Sequence, residues 1–418
     1  MPSAALRSAG NALPPSSGSI PPKATRKREL HPMTGRLAER GSAVRPRRLD
    51  ALRVGEAGKG DLLFAGGVAA IAALGVLFVY SASCYTAELQ YGDEFYFLKK
   101  QLLGFVLGLA ALVLISRIDL SRRTKLGVPA LIAALVLLAA VFIPGLGKTS
   151  YGATRWLGLG PVTIQPSELA KFSFVLFAAG HFARDPARPR TFPGILPVLG
   201  AGVSLSVLIL LEPNLSVTMV MGALMLGMLF LAGMPLKRLA LLVLPVLAAL
   251  PLLILAEPYR LRRLTAFLDP WSSPQDEGYQ LIQSLYALAN GNLFGVGLFR
   301  SRQKYRFLPF AESDFILSVI AEETGFFGVV CLFALIGFVV WRGFRIAARA
   351  RTFYEYLLVS GIVFAFAVQA ALNALVVSGC VPPTGLPLPL VSAGNTSLIV
   401  TMAGMGVVFG VSRRSGRA

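Results

Sequence analysis

The sequence predicts an all-α membrane protein, a bundle of ten transmembrane helices with one long extracytoplasmic loop between the seventh and eighth spans. Hydrophobic residues make up 55% of the chain and the mean hydropathy is +0.66. Only 15% of residues are charged, against about 25% in soluble domains. The apolar residues fall in runs near the roughly 20 residues that a helix needs to cross a bilayer.

Ten apolar runs and their connections set the predicted topology. The runs lie near residues 61–82, 101–117, 127–145, 167–183, 192–211, 214–232, 237–256, 314–341, 355–379 and 389–411. With the N-terminus inside, every cytoplasmic connection carries Lys or Arg, as the positive-inside rule requires; 342–351 is the richest example. An even number of spans then places both termini in the cytoplasm.

Two polar tails flank this predicted membrane domain of residues 61–412. Residues 1–60 are rich in Pro, Ser, Gly, Arg and Lys, which predicts a disordered basic cytoplasmic tail, and residues 413–418 form a second, short basic tail. Much of the net charge of +19 lies in the first tail and in the short connections. We therefore interpret the charge as topology-setting, and we predict no nucleic-acid partner.

The longest polar stretch, residues 257–313, is predicted to be the working loop outside the membrane. Long connections in compact proteins are usually functional. This loop is basic although it lies on the side where Lys and Arg are rare, and its cations include Arg263, Arg302 and Lys304. Because the planar arginine fork bonds two phosphate oxygens at once, we expect the loop to bind an anionic ligand.

Carboxylates are interspersed with these cations. Asp269 and Asp276 lie in the middle of the loop, and Glu312 and Asp314 lie at its end. A carboxylate beside a developing nucleophile can act as a general base. The alternative is that most of these charges form salt bridges inside a folded loop, which would leave one or two acids for catalysis.

Polar groups in or beside the predicted spans are a second set of candidates, because such groups are costly in a membrane. Arg155 precedes span four, and Glu168 and Lys171 share one face of its helix and can pair. The pair could be structural, or it could line a cavity that positions an anionic headgroup. Glu212 and Asn214 flank the tight turn between spans five and six, where Glu212 is either a cap or a cavity charge.

The last spans contain further polar features. Glu322 and Glu323 are adjacent inside span eight, so we expect one of them to face the protein interior. The run Pro382–Pro387 predicts a non-helical entry to span ten, which is tolerated only where it is buried or lines a cavity.

Several chemistries are not predicted. The sequence contains no GxxxxGK[ST] phosphate loop and no GxSxG nucleophile motif, and its three cysteines and two histidines match no metal-ligand spacing. The expected chemistry therefore relies on carboxylates and arginines without a nucleotide, and no metal ligands are predicted.

Seven motifs spread from residue 79 to the end of the chain resemble the SEDS family (shape, elongation, division and sporulation), which includes FtsW, RodA and SpoVE. They are VYSAS at 79–83, ATRWLGLGPVTIQPSELAK at 153–171, EPNLS at 212–216, FLDPW with GYQLIQSLYAL within 267–288, GVGLFRSRQKYRFLP at 295–309, ESDFILSVIAEETGFFG at 312–328 and PPTGLPLPLVSAGNTSL at 382–398. The RQKYRFLP stretch is more similar to FtsW or SpoVE than to RodA.

The resemblance implies a ten-span peptidoglycan glycosyltransferase in the bacterial cytoplasmic membrane. Such enzymes polymerise lipid II, whose undecaprenyl pyrophosphate leaving group supplies the energy, during division or related wall synthesis. A class B penicillin-binding protein crosslinks the product, and other divisome proteins are further expected partners. No cofactor is implied, although a divalent cation requirement is not readable from the sequence. In the family, an acid of the long loop is the proposed base, and Glu168 and Lys171 match residues that line the cavity.

The chain departs from the family pattern at several positions. Where the loop pattern has its second acid, this sequence has Ser273; Asp269 matches the first position, and Asp276 is an additional acid. Asn214 replaces a cavity aspartate, and Glu312 stands where His is common. We therefore expect Asp276 or Asp269 to be the base, with Arg155 and the loop cations holding pyrophosphate. The alternative is a transporter of lipid-linked precursors or a non-catalytic scaffold for the penicillin-binding protein.

Overall fold

The computed structural model of the protein describes residues 60–120, 123–150, 153–159, 162–255 and 258–415. Twelve helices are found in this part of the chain: α1 (Leu62–Tyr91), α2 (Tyr96–Ser116), α3 (Gly127–Ala140), α4 (Pro166–Ala183), α5 (Phe192–Leu211), α6 (Leu215–Leu231), α7 (Leu236–Leu255), α8 (Pro258–Leu268), α9 (Tyr279–Gly291), α10 (Ile316–Ala348), α11 (Phe353–Val377) and α12 (Asn395–Ser415). The predicted tail of residues 1–60, except Gly60, lies outside the described residues.

Each predicted span coincides with a helix, α1 to α7 and α10 to α12. Among the described residues, α1, α2, α5, α10, α11 and α12 are long and apolar enough to cross a membrane. The helix α6 and the segment Thr124–Ala140, which contains α3, are apolar but shorter. The protein is therefore a mostly helical, multi-pass membrane protein, while the count of ten spans stays a prediction.

The long polar stretch contains two helices of its own, α8 and α9. The α8 helix carries charged side chains and α9 carries polar ones among their apolar residues, so a search for long apolar runs does not detect them. At the other end of this stretch, α10 begins at Ile316, two residues after the predicted start of span eight. Asp314 consequently lies in the loop that leads into the helix.

A small antiparallel sheet lies between α3 and α4, in a connection for which the sequence predicted no secondary structure. Its strands are β1 (Gly147–Ser150), β2 (Ala153–Leu159) and β3 (Val162–Ile164), in the order β1-β2-β3. The α4 helix then begins at Pro166, a residue suited to the first helical position because it lacks the amide hydrogen that would have no partner there. The sheet thereby fixes Arg155, on its central strand, close to the start of α4.

The core lies around α11, which packs against α4, α6, α10 and α12. The α2 and α12 helices pack closely against each other, and glycines of α12 allow the close approach. A Cβ atom on Gly406 of α12 would lie 2.6 Å from the carbonyl oxygen of Leu112, and one on Gly410 would lie 2.8 Å from that of Ser116. Small residues four apart allow two helix backbones to approach in this way.

The α10 helix is broken at Gly325, whose φ of 69° and ψ of −171° are not helical. The break frees main-chain groups that residues 292–297 then bind. The amides of Phe326 and Phe327 donate to the carbonyls of Asn292 (2.9 Å) and Leu293 (3.0 Å), and the amides of Val296 and Gly297 donate to those of Glu322 (2.9 Å) and Glu323 (3.0 Å). The polar stretch is thus joined to α10 through the main chain.

Replacing Gly406 by Ala is expected to destabilise the protein by about 1–3 kcal/mol, because the added methyl group forces α2 and α12 apart. The measurement is thermal unfolding in detergent. Gly66→Ala is the matched control, since Gly66 is also helical and a Cβ atom there meets nothing within 4 Å. Equal melting temperatures for the two variants would contradict the close crossing.

Candidate functional site

Residues 382–394, here called the proline–glycine segment, are non-helical and connect α11 to α12. The non-helical entry was predicted for 382–387; it continues to 394, so α12 begins at Asn395 and not near residue 389. Much of the segment is buried; Leu386 and Val391 are 1% and 0% exposed. Side chains from other elements donate hydrogen bonds to its carbonyls. The bonds run from Arg263 to Pro383 (3.1 Å), from Ser216 to Thr384, from Gln369 to Pro387 (3.1 Å), from Asn373 to Leu386 (2.7 Å) and from Gln101 to Ser392 (3.3 Å).

These bonds have a physical cause. A buried carbonyl without a hydrogen-bond partner costs free energy, and outside a helix or sheet the partner must come from a side chain or another loop. The hydroxyl of Ser392 contributes from within the segment, because it accepts from the amide of Leu388 (2.8 Å) and donates to the carbonyl of Ser313 (2.6 Å). The segment is consequently fixed against the loop that leads into α10.

Arg155, Glu212, Arg263, Glu312 and Asp314 form the arginine–carboxylate cluster beside this segment. Arg155 donates to the carbonyls that flank the α5–α6 turn, at 3.2 Å to that of Glu212 and to that of the following proline. The guanidinium groups of Arg155 and Arg263 both act electrostatically on the carboxyl of Asp314, as does Glu312. The two predicted cations therefore act on an acid from the end of the long loop, Asp314.

Burial raises the pKa of Asp314 to about 6, from an ordinary value of 3.8. Arg155 and Arg263 favour the carboxylate and lower this pKa, whereas the neighbouring Glu312 raises it. Burial also raises the pKa of Glu312. Both residues are half-buried, so part of their surface stays exposed.

Glu212 is the most deeply buried acid of the cluster. Its side chain is 0% exposed, and neither carboxyl oxygen has a hydrogen-bond partner among the described residues. Burial raises its pKa to about 8, against the opposing effect of Arg155. Asn214 acts differently, because its side-chain oxygen accepts from the amide of Val217 at 3.3 Å and caps α6. Glu212 occupies the C-cap position of α5, one of its two predicted alternatives, and its amide donates to the carbonyl of Leu208 at 3.2 Å.

The predicted pair of Glu168 and Lys171 is confirmed, with 2.9 Å between the charged atoms. Both side chains are buried, at 1% and 3% exposure. Lys171 also donates to Gln369 (2.5 Å), and Ser397 donates to Glu168 (2.9 Å). The cavity beside the pair measures about 10 Å³, close to the lower limit for one water molecule. In this conformation the pair is enclosed, with no space for a headgroup.

Glu322 and Glu323 are both buried, at 0% and 1% exposure. The sequence predicted that one of them faces the interior; the structure buries both, because the loop beside the break in α10 donates hydrogen bonds to both carboxyl groups. These contacts form what we call the loop latch: the amide of Ser301 donates to Glu323 (3.3 Å) and its hydroxyl to Glu322, and the amide of Gln303 donates to Glu322 (3.3 Å).

The predicted ligand-binding cation Lys304 belongs to the loop latch. Its side chain is 3% exposed, lies 3.5 Å from the carboxylate of Glu323 and donates to the carbonyl of Phe299 at 2.6 Å. Ser81 of α1 donates to the same carboxylate at 2.6 Å. The alternative of internal salt bridging therefore describes Lys304, which is a structural cation in this conformation.

Asp269, Asp276 and Arg302 are exposed and lie outside the cluster. The two aspartates are in the connection between α8 and α9, and Arg302 is in the loop after α9. The described residues contain no group of three or more His, Cys, Asp or Glu side chains that could hold a metal ion.

Comparison with known proteins identifies the family. The model of the family described as "Cell cycle protein", which is named for FtsW, RodA and SpoVE, matches residues 61–417. The chain belongs to the FtsW/RodA/SpoVE family. It is 40% identical over 349 residues to the probable peptidoglycan glycosyltransferase FtsW of Saccharophagus degradans, which covers 82% of this chain and 90% of that protein. It is 37% identical over 343 residues to stage V sporulation protein E of Bacillus subtilis, covering 82% and 94%.

Solved structures of the family have the same fold. A chain from a peptidoglycan synthase complex that coordinates polymerization and crosslinking is 31% identical, with a TM-score of 0.71 over 86% of this chain and 99% of that one. The rod shape determining protein RodA of Thermus thermophilus is 29% identical, with a TM-score of 0.63 and the same coverage. The resemblance inferred from the motifs is confirmed.

Sequence reasoning missed the two α11 side chains that support the site, Gln369 and Asn373. Both are buried and both donate to the proline–glycine segment. A signal was present, because an amide side chain within an apolar run is costly in a membrane unless it is bonded. Asp314 was one of several loop acids, and only the fold separates it from Asp269 and Asp276.

Replacing Lys304 by Met is expected to lower stability by about 3 kcal/mol, because it leaves Glu323 charged, buried and without its cation. The double variant Lys304→Met/Glu323→Gln should recover part of the loss, since no unpaired charge remains. Thermal unfolding in detergent measures both. Lys99→Met, which breaks an exposed pair with Asp93, is the control and should change little. A double variant that melts no higher than Lys304→Met alone would refute the pairing.

Glu212→Gln is expected to reduce the pH dependence of stability. In the folded protein the carboxyl keeps its proton up to about pH 8, whereas in the unfolded chain it ionises near its ordinary value of 4.5. This group therefore stabilises the fold below pH 4.5 and the contribution is lost as pH rises to about 8. Melting temperatures at about pH 5 and pH 8 test this, and the drop should be smaller for the variant. An equal drop in both proteins would contradict the buried position.

Proposed function

We propose that this protein is a peptidoglycan glycosyltransferase that polymerises lipid II into glycan strands. Family membership and the names of its relatives, probable peptidoglycan glycosyltransferases, support this activity. The observation that carries it is the arginine–carboxylate cluster, in which the guanidinium groups of Arg155 and Arg263 act electrostatically on the half-buried acid Asp314. Arginine suits a pyrophosphate, and an acid with a raised pKa suits proton transfer.

The reaction requires the protein to perform two roles, proton removal and leaving-group stabilisation. A sugar hydroxyl of the acceptor must lose its proton as its oxygen attacks the anomeric carbon of the donor, and the departing pyrophosphate must be stabilised as its charge develops. In this proposal Arg155 and Arg263 stabilise the departing pyrophosphate, and the exposed Arg302 adds positive charge on the loop surface. Asp276 and Asp269, the bases predicted from the sequence, remain candidates for removing the acceptor proton.

The topology belongs to the same proposal. Ten spans, with both termini in the cytoplasm, place residues 257–313 and the cluster outside the cytoplasmic membrane of a bacterium, where glycan strands are assembled. The basic connection 342–351 supports this orientation. Glu168 and Lys171 would meet the substrate only after the enclosed pair opens.

The proposed partners follow from the activity and from the relatives. One structural relative is part of a complex that coordinates polymerization and crosslinking, which supports a class B penicillin-binding protein as the partner of this chain. Other divisome proteins and the membrane itself are further proposed partners, and nucleic acid is not. No cofactor is proposed; a divalent cation is tested by adding a chelator to the assay.

Arg155→Ala is expected to lower kcat/KM for lipid II polymerisation about 100-fold, the effect of removing one donor that stabilises developing charge. The assay supplies lipid II to the purified protein with its penicillin-binding partner and follows glycan chains by gel electrophoresis. Arg262→Ala is the matched control, because Arg262 is exposed and pairs with Glu277.

The same assay distinguishes a glycosyltransferase from the two alternatives, a transporter of lipid-linked precursors and a non-catalytic scaffold. No polymer from the wild-type protein would exclude the glycosyltransferase, and movement of lipid II across vesicle membranes would then favour the transporter. If Arg155→Ala and Arg262→Ala were equally active, the cluster would not be the pyrophosphate site.

A further inference from the structure

Asp314 lies where four separate elements converge. Arg155 comes from β2, Arg263 from α8, Asp314 from the loop before α10 and Gly385 from the proline–glycine segment. A Cβ atom on Gly385 would lie 3.1 Å from a carboxyl oxygen of Asp314, so the absence of a side chain there leaves the acid its space. These four residues are far apart in the sequence, and it is the fold that brings them together.

The main chain that carries this acid is clamped. Three consecutive carbonyls accept hydrogen bonds: that of Glu312 from the amide of Ala393 (2.9 Å), that of Ser313 from the hydroxyl of Ser392 (2.6 Å), and that of Asp314 from the amide side chain of Asn373 (2.9 Å). The main chain at Asp314 is therefore held in place, and Arg155 and Arg263 act electrostatically on the carboxyl that it carries. A base must be held within hydrogen-bond reach of its proton, and small displacements are costly.

The loop acids Asp269 and Asp276 have a different environment. Both are exposed, in the connection between α8 and α9. Asp314 is influenced electrostatically by Arg155, Glu312 and Arg263. Asp269 and Asp276 are not among the groups that act on it. Of the acids between α8 and α10, Asp314 is the one that combines partial exposure, a main chain held by hydrogen bonds and the electrostatic influence of both Arg155 and Arg263.

We propose that Asp314 is the general base of the transfer reaction, an inference that rests on the proposed glycosyltransferase function. The carboxylate of Asp314 takes the proton of the acceptor hydroxyl as the hydroxyl oxygen forms a bond to the anomeric carbon of the donor. The bond from that carbon to the pyrophosphate oxygen breaks, and its electron pair leaves with the pyrophosphate, which Arg155 and Arg263 hold. Asp314 then returns its proton to water.

The acid–base property of Asp314 agrees with this role. The charged groups that face it are Arg155, Glu312 and Arg263, and the balance of burial and charge gives a pKa of about 6. A base must be ionised to accept a proton, so kcat/KM should rise with pH through about 6 and then level off. A base whose pKa lies near the working pH is the most effective.

The experiment measures lipid II polymerisation by the full-length protein with its penicillin-binding partner. Asp314→Asn keeps the shape of the side chain but removes its basicity, and it should lower kcat about 100-fold or more with little change in KM. It should lose more activity than the double variant Asp269→Asn/Asp276→Asn. Asp93→Asn, an exposed aspartate paired with Lys99, is the matched control and should polymerise at the wild-type rate.

The outcomes are distinct. No polymer from the wild-type protein overturns the proposed function and this inference with it. Polymer from Asp314→Asn at more than a third of the wild-type rate, or a larger loss in the double variant of the loop acids, overturns the inference alone. Should Asp314→Asn fail to fold, the wild-type dependence of kcat/KM on pH decides, because a kcat/KM that does not rise with pH near pH 6 excludes Asp314. Asp314→Glu keeps a carboxylate, so it should retain part of the wild-type rate and the rise of kcat/KM with pH.

Discussion

The buried main chain of the proline–glycine segment is the constraint on which the site depends. Its carbonyls lie outside any helix or sheet, so they need donors from elsewhere. The donors come from α2, α6, α8 and α11, and the segment in turn binds the loop before α10. Satisfying these groups therefore assembles five elements around one place, and the arginine–carboxylate cluster is a product of that assembly.

The helix α11 couples the two polar regions of the interior. Gln369 and Asn373 are four residues apart and consequently share one face of the helix. Gln369 binds both the enclosed Lys171 and the proline–glycine segment, while Asn373 binds the same segment and the carbonyl of Asp314. The buried ion pair and the partly exposed cluster thus contact a single rigid element, and a movement of α11 would change both.

Hydropathy and motif resemblance predicted the helices that coincide with the ten apolar runs, the family, and the pairing of Glu168 with Lys171. They did not predict the small sheet, α8 or α9, because these elements carry no long apolar run. From the sequence, Asp314 and Lys304 are both charges of the same long loop. The fold separates them: one faces the arginines beside the proline–glycine segment, and the other is enclosed against the broken helix. Such long-range juxtapositions are not encoded in local spacing.

The bonds to the proline–glycine segment run to its carbonyl oxygens, which every amino acid possesses. A changed side chain in this segment therefore leaves the contacts in place, provided that the path of the main chain is kept. Gly385 is an exception, because its φ of 68° and the carboxyl of Asp314 beside it oppose a Cβ atom. The donors have no such freedom, because an arginine, an amide or a hydroxyl must reach a defined point. Losing one anchor on α2, α6, α8 or α11 should consequently cost more stability than changing most side chains of the segment that they hold.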